Sequence, residues 1–331
     1  IMPDRYNSLQ NWLTEILGTS AFNLKPASED ASFRTYHRLF LKNKTFIVMD
    51  APPEQENCKV FIKITKKLRA CDVNVPIIHN VNIEQGFLLL SDLGNDLYLN
   101  KLNKSSIYEL YSDALSTLVA IQVLVNVGGV DEYDKSLLIS EMNLFREWLI
   151  EKHLNIKLSD SQVKILTTLF DLLVNNALQQ PKVFVHRDFH SRNLMVTKEN
   201  NPGVIDYQDA VYGPISYDLV SILKDCYIKW PKEEIDKWVD FYLNKLYEEK
   251  AQYRINRDEF VRWFDLMGVQ RHLKASGIFA RLSHRDGKHN FLEDIPRTLS
   301  YILDLKETYE ELQPICIILE ELVLPRLKEN E

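Results

Sequence analysis

The sequence is short of cysteine. Four are present in 331 residues, Cys58, Cys71, Cys226 and Cys316, and none forms a C-x-x-C pair. Such scatter argues against structural zinc and reads as reduced, packed thiols in a cytoplasmic protein. Positive charge is not in excess either. Lys and Arg number 40 against 47 Asp and Glu, a net charge of −7. That argues against nucleic acid as the main partner, which needs a basic footprint, while leaving room for a local cationic pocket. No apolar run is long enough to span a bilayer, so no membrane partner is expected. The opening stretch IMPDRYNSLQNWLTEIL has no basic region followed by an apolar one, so no signal peptide is expected, and Ile1 ahead of Met2 reads as an appended residue. Internal repeats and low-complexity segments are missing as well.

What is present is a change of pattern along a chain long enough for two packed units. Leu9, Trp12, Leu13, Ile16 and Leu17 recur at helical spacing, and Gly18 follows as a stop. FRTYHRLFL and TFIVMD read as a hairpin around the turn KNK. A helix is expected next, with Pro52 and Pro53 in its first turn, running to about Ala70. Short strands follow around VNI and FLLL, joined by EQG. Beyond SDLGND the chain is mainly helical. The expected fold is α+β: a small antiparallel sheet lobe over residues 1–92 and a larger, mainly helical lobe over 93–331.

Inside the helical part lies VFVHRDFHSRNLMV, residues 183–196, where two strand-like runs enclose a polar knot. The strand VI and the element DYQDA come soon after. Asp188, Asn193 and Asp206 can converge at one end of a small sheet. A carboxylate and an amide oxygen are hard ligands that suit Mg²⁺. A second carboxylate can take the proton of a substrate hydroxyl. Those are the parts phosphoryl transfer requires.

HRDFHSRN at 186–193 fits the H-R-D-x-x-x-x-N pattern of the kinase catalytic loop. Together with IDYQDAVYGPISYDLVS it resembles the aminoglycoside phosphotransferase and choline kinase superfamily. The stretches ASFRTYHRLF, IVMDAPPE, LLLSDLG and DLMGVQRHLKASGIFARL are most similar to the bacterial anomeric sugar kinases that act on N-acetylmuramate and N-acetylglucosamine. The resemblance covers about residues 31–297. It implies a two-lobed protein-kinase-like fold, ATP and Mg²⁺ as cofactors, and transfer to an anomeric hydroxyl in cell-wall amino-sugar recycling. It also implies Asp188 as catalytic base, Asn193 and Asp206 as metal ligands, and backbone near Ser91, Asp92 and Leu93 meeting the adenine. Asp218 is expected to cap a helix and brace the lobe, and His186 to brace the loop.

Two departures stand out. SEDASFR has no glycine where a phosphate loop wants several, so Ser32 and Arg34 are the candidates there. The third strand reads FIVMD, with Met49 where a nucleotide-pairing lysine is expected; Lys59 and Lys63 are possible substitutes, or plain surface residues. For the acceptor, Asp209 could meet a sugar hydroxyl. In the basic segment 270–288, Arg271, His272, Lys274 and Arg281 could meet a carboxylate on the sugar. Other readings are a kinase for an aminoglycoside, choline or homoserine, a nucleotide-binding pseudokinase, and a metal hydrolase built on His186, Asp188 and His190.

Overall fold

The computed structural model describes residues 3–29 and 33–329. Contacts gather the chain into two compact units. One comprises the residues up to Asp96 together with Met195–Gln208; the other comprises Leu97–Leu194 and the residues from Asp209 on. The sequence alone suggests one cut after residue 92. The contacts divide the chain after Asp96 and return Met195–Gln208 to the first unit.

The first unit is a five-stranded antiparallel sheet with two helices. Strands β1 (Asn23–Glu29), β2 (Thr35–Leu41), β3 (Lys44–Asp50), β4 (Ile78–Asn82) and β5 (Phe87–Ser91) lie in the order β1-β2-β3-β5-β4. β1 is not expected from the sequence. Pro26 interrupts it, the register slips between Pro26 and Ser28, and the strand survives because it sits at the sheet edge. Helix α1 (Pro3–Leu17) buries Leu9, Trp12 and Leu13 against Leu39, Val48, Phe87 and Leu89 of the sheet. Each such side chain contributes about 1.5–3 kcal/mol. Helix α2 spans Cys58–Arg69, later than expected: Asn57 caps it by accepting from the Lys59 N–H. Pro52 and Pro53 instead form a turn closed by the Glu56 N–H on the Pro52 carbonyl at 2.8 Å.

The returning segment carries β8 (Gly203–Val204), which pairs with the short β7 (Leu194–Met195). Val204 N–H donates to the Asn74 carbonyl at 2.8 Å. Tyr207 stacks on Phe61 with ring centroids 5.2 Å apart, and its hydroxyl shares a 2.8 Å hydrogen bond with Thr65.

The second unit is mainly helical. Its elements are α3 (Tyr98–Lys101), α4 (Ile107–Leu124), α5 (Lys135–Leu144), a π-helical stretch Phe145–His153, α6 (Asp160–Leu178), α7 (Tyr217–Leu223), α8 (Lys232–Glu249), α9 (Arg257–Asp286) and α10 (Ile295–Leu303), followed by shorter helices. Strand β6 (Lys182–Val185) pairs antiparallel with β9 (Val211–Pro214). The runs 183–185 and 194–196 are therefore not partners of each other: they belong to separate two-stranded ladders. Helix α9 is the spine of this unit, packed against α5, the π stretch, α6, α7 and α10. It runs unbroken through Gly277. A Cβ there would lie 2.3 Å from the Leu144 carbonyl carbon, so glycine admits the α5/π junction rather than interrupting a helix. Phe145 and Leu149 are fully buried, and Leu144 and Trp148 only partly.

Candidate active site

The chain leaves buried β6 and turns sharply. His186 is fully enclosed, and Arg187 adopts φ +77°, a left-handed conformation that a side-chain-bearing residue keeps only when its surroundings hold it. Asp218, in the first turn of α7, holds it. Its two carboxylate oxygens accept the His186 N–H at 2.7 Å and the Arg187 N–H at 3.0 Å. The sequence assigns Asp218 to a helix cap; the structure spends its side chain on the loop. Burial pushes this carboxyl up to about 7, although the two backbone donors favour its ionised form.

The loop then folds on itself. Asp188 N–H donates to His186 Nδ1 at 3.2 Å, His190 N–H to the Asp188 carbonyl at 3.0 Å, and Asn193 N–H to the His190 carbonyl at 2.9 Å. Asn193 Nδ2 also donates to the Asp188 carbonyl, at 3.0 Å. The structure thus brings Asp188 and Asn193 together. Asp225, after α7, makes a second brace by accepting the Ser191 and Tyr227 N–H groups, both at 2.9 Å. Sequence reasoning missed Asp225. The available signal was an acid inside the apolar run ILKDCYI.

The Asp188 side chain is 38% exposed, so its carboxylate faces outward from a rigid loop. Burial of its surroundings raises its pKa. The charges of Lys274 and Arg271, then His190 and Arg187, outweigh that and hold it well below the usual carboxylate range. Arg271 sits behind it, 3.8 Å from Asp188 Oδ1, and donates to the Arg187 carbonyl at 3.3 Å. Lys274 lies 3.0 Å from Glu141 and donates to the Tyr217 hydroxyl at 3.0 Å. Glu141 also pairs with Arg187 and accepts from Tyr133. Glu141, unrecognised in the sequence, therefore neutralises two cations of this buried cluster.

These contacts place the basic segment. Arg271 and Lys274 are buried and engaged around Asp188. His272 is equally enclosed: its ring stacks on Tyr301 at 4.7 Å, its Nε2 meets the Lys224 carbonyl at 2.8 Å, and burial pushes its pKa down to about 3. Arg281 is half-buried, with a buried Nε that has no hydrogen-bond partner. Asp209 is exposed, and its carbonyl accepts from Arg187 at 3.2 Å.

The remaining predicted residues lie in the first unit. Asp206 has φ +63°, and its Oδ1 accepts from Gln208 at 2.7 Å. Ser32 lies outside the described residues. Arg34 is paired with Glu56 at 2.7 Å, both largely buried. Ser91 Oγ accepts the Ile77 N–H at 2.8 Å, Asp92 receives Arg38 at 2.7 Å, and Leu93 packs beside Gly203. Met49 is fully buried in β3, and Lys59 and Lys63 are exposed on α2. Among the described residues no three His, Cys, Asp or Glu side chains gather as a metal cluster, His186, Asp188 and His190 included.

Comparison with known proteins accounts for this arrangement. The phosphotransferase enzyme family, APH, matches residues 23–254. The N-acetylmuramate/N-acetylglucosamine kinase of Pseudomonas putida is 41% identical over 328 residues, 96% of each chain. The protein of the same name in Pseudomonas aeruginosa is 44% identical over 279 residues, covering 84% of this chain and 82% of its own. Among solved structures, the choline kinase LicA of Streptococcus pneumoniae superposes with a TM-score of 0.63 at 12% identity, over 90% of this chain and 99% of its own. The fold is therefore the α+β kinase-like fold, with its antiparallel sheet first and its helices after. On the match of residues 23–254 and the near-full-length relatives, this chain belongs to the phosphotransferase enzyme family.

Proposed function

We propose that this protein transfers the γ-phosphoryl group of ATP to the anomeric hydroxyl of N-acetylmuramate or N-acetylglucosamine, yielding a sugar 1-phosphate for amino-sugar recycling. The observation that carries the reading is the 41% and 44% identity, over most of the chain, to two kinases named for those acceptors. The braced loop around Asp188 supports it.

In this reading Asp188 accepts a hydrogen bond from the anomeric hydroxyl and orients its oxygen toward the γ-phosphorus. A carboxylate held so far toward its ionised form is a weak base in the ground state. Its proton transfer comes late, when the hydroxyl has begun to bond to phosphorus and has become acidic. The hydroxyl proton passes to Asp188, and the β–γ bridging oxygen leaves with ADP. Asn193 and Asp206 would hold Mg²⁺. Both supply hard oxygen donors of the type that ion takes, and the Asn193 amide nitrogen is committed to the Asp188 carbonyl, which turns its oxygen elsewhere. When bound, the ion would neutralise phosphate charge. We place Ser91, Asp92 and Leu93 at the purine, and Ser32 and Arg34 toward the phosphates. Asp209 and Arg281 are left as acceptor contacts. We also place the enzyme in the cytoplasm, whose reducing conditions suit its four unpaired cysteines.

Formation of sugar 1-phosphate from each amino sugar with ATP, in the native protein and in Asp188→Asn, tests this. Turnover in the variant should fall by about two to four orders of magnitude while nucleotide binding persists. Native-like turnover in the variant, or consumption of ATP only with choline or an aminoglycoside, would reject the reading.

A further inference from the structure

We propose that Arg192 is the receptor for a carboxylate on the acceptor sugar, seated on an aromatic platform of Tyr227, Phe279 and Phe291; this rests on the amino-sugar kinase reading above. Arg192 directly precedes Asn193 and is partly exposed. Its guanidinium lies over the Tyr227 ring at 4.7 Å and the Phe291 ring at 5.0 Å. Among the described residues it makes those ring contacts and no ion pair or hydrogen bond. Its neighbours differ. Arg187 is paired with Glu141, Arg271 with Asp188, and Arg297 with Asp294 and the Cys226 carbonyl. A guanidinium held by its faces keeps its edge N–H donors for an in-plane acceptor, and a carboxylate takes two of them at once.

The platform is built, not incidental. Phe279 stacks on Phe291 with centroids 5.7 Å apart and also meets Tyr227 at 6.1 Å. The Tyr227 backbone N–H is fixed by Asp225, which also fixes the loop at Ser191. The His190 ring packs on Tyr227 at 5.4 Å, and its buried Nδ1 has no hydrogen-bond partner. Contacts therefore run without a break from Asp188 through His190 and Tyr227 to Arg192. A pyranose whose anomeric hydroxyl meets Asp188 would lie along that wall, with His190 facing its polar groups and Arg192 facing the lactyl carboxylate. N-acetylmuramate carries that carboxylate and N-acetylglucosamine does not, so Arg192 sets the preference between them.

The test compares kcat/KM for both sugars, and for the methyl ester of N-acetylmuramate, in the native enzyme, Arg192→Gln and Arg192→Lys. Arg192→Gln should lower the ratio of N-acetylmuramate to N-acetylglucosamine use roughly 10- to 100-fold, chiefly through KM. Lysine should recover part of that ratio. The native enzyme should lose a similar factor on the ester, and the glutamine variant should lose no more when the ester replaces the acid. The ester arm needs no variant to fold. An unchanged ratio in Arg192→Gln, or equal use of acid and ester by the native enzyme, overturns the proposal. A native enzyme that phosphorylates neither sugar overturns the kinase reading itself.

Discussion

Gly277→Ala is the substitution whose sign is most informative. In an unpacked helix, alanine in place of glycine stabilises by about 1 kcal/mol. At position 277 the added methyl would lie 2.3 Å from the Leu144 carbonyl carbon and 2.5 Å from both its oxygen and the Phe145 nitrogen. These are backbone atoms at the start of the π-helical stretch, so no rotamer change relieves the clash. Helix α9 would have to retreat by about 1 Å to restore normal contact. Overpacking of this kind costs about 1–3 kcal/mol and sometimes more, which outweighs the helix gain. Because the clash is with backbone, the cost lies at the top of that range, and the expected net result is a loss of about 2 kcal/mol, read as a lowered urea midpoint. Tryptophan fluorescence reports it, since Trp148 lies on the π stretch and Trp263 on α9. A higher midpoint than native would refute the close packing argued for this junction. Turnover should fall too, because Arg271 and Lys274 ride on the same helix.

Glu141→Gln leaves Arg187 and Lys274 without their shared buried anion, and should destabilise by about 3 kcal/mol or more in urea; native-like stability would mean that the cluster is not neutralised through Glu141. Asp225→Ala strands the N–H groups of Ser191 and Tyr227, at about 1–3 kcal/mol each. Hydrogen exchange at those two amides should accelerate and kcat should fall; unchanged exchange would show that the brace is idle. His272 is neutral in the fold, with its pKa pushed down to about 3, so unfolding below its ordinary value of 6.5 takes up a proton. Its contribution is complete above 6.5 and is lost as pH falls from there toward 3. Native melting temperatures should therefore drop more steeply across that window than those of His272→Gln, and parallel curves would contradict the assignment.

The legible parts of this protein were those written in short-range pattern. The alternation in TYHRLFL and KTFIVMD gave β2 and β3, the spacing of Leu9, Trp12 and Leu13 gave α1, and HRDFHSRN gave the loop. Illegible parts depended on partners distant in sequence. β1 looks unlike a strand because of Pro26, and only its place at the sheet edge permits it. Val183–Val185 pairs with Val211–Pro214 across the whole intervening loop, a partner that spacing does not name. Arg271 and Lys274 announce a cationic helix face, yet nothing local says that it turns inward toward Asp188. Arg192 raised no signal because its meaning lies in the ion pair it does not make.

The interrupted path of the first unit has a consequence for biosynthesis. Thr65, Phe61 and Asn74 find their partners in Tyr207 and Val204. As the chain is made from its N-terminus, those partners arrive only after the whole stretch from Leu97 to Leu194 has been translated. The sheet strands are all made by then, but α2 and Asn74 must wait for their partners while the ribosome adds that long stretch, and a fragment ending near residue 96 would lack part of its own interior. Any attempt to produce the first unit alone would have to splice Met195–Gln208 back onto it.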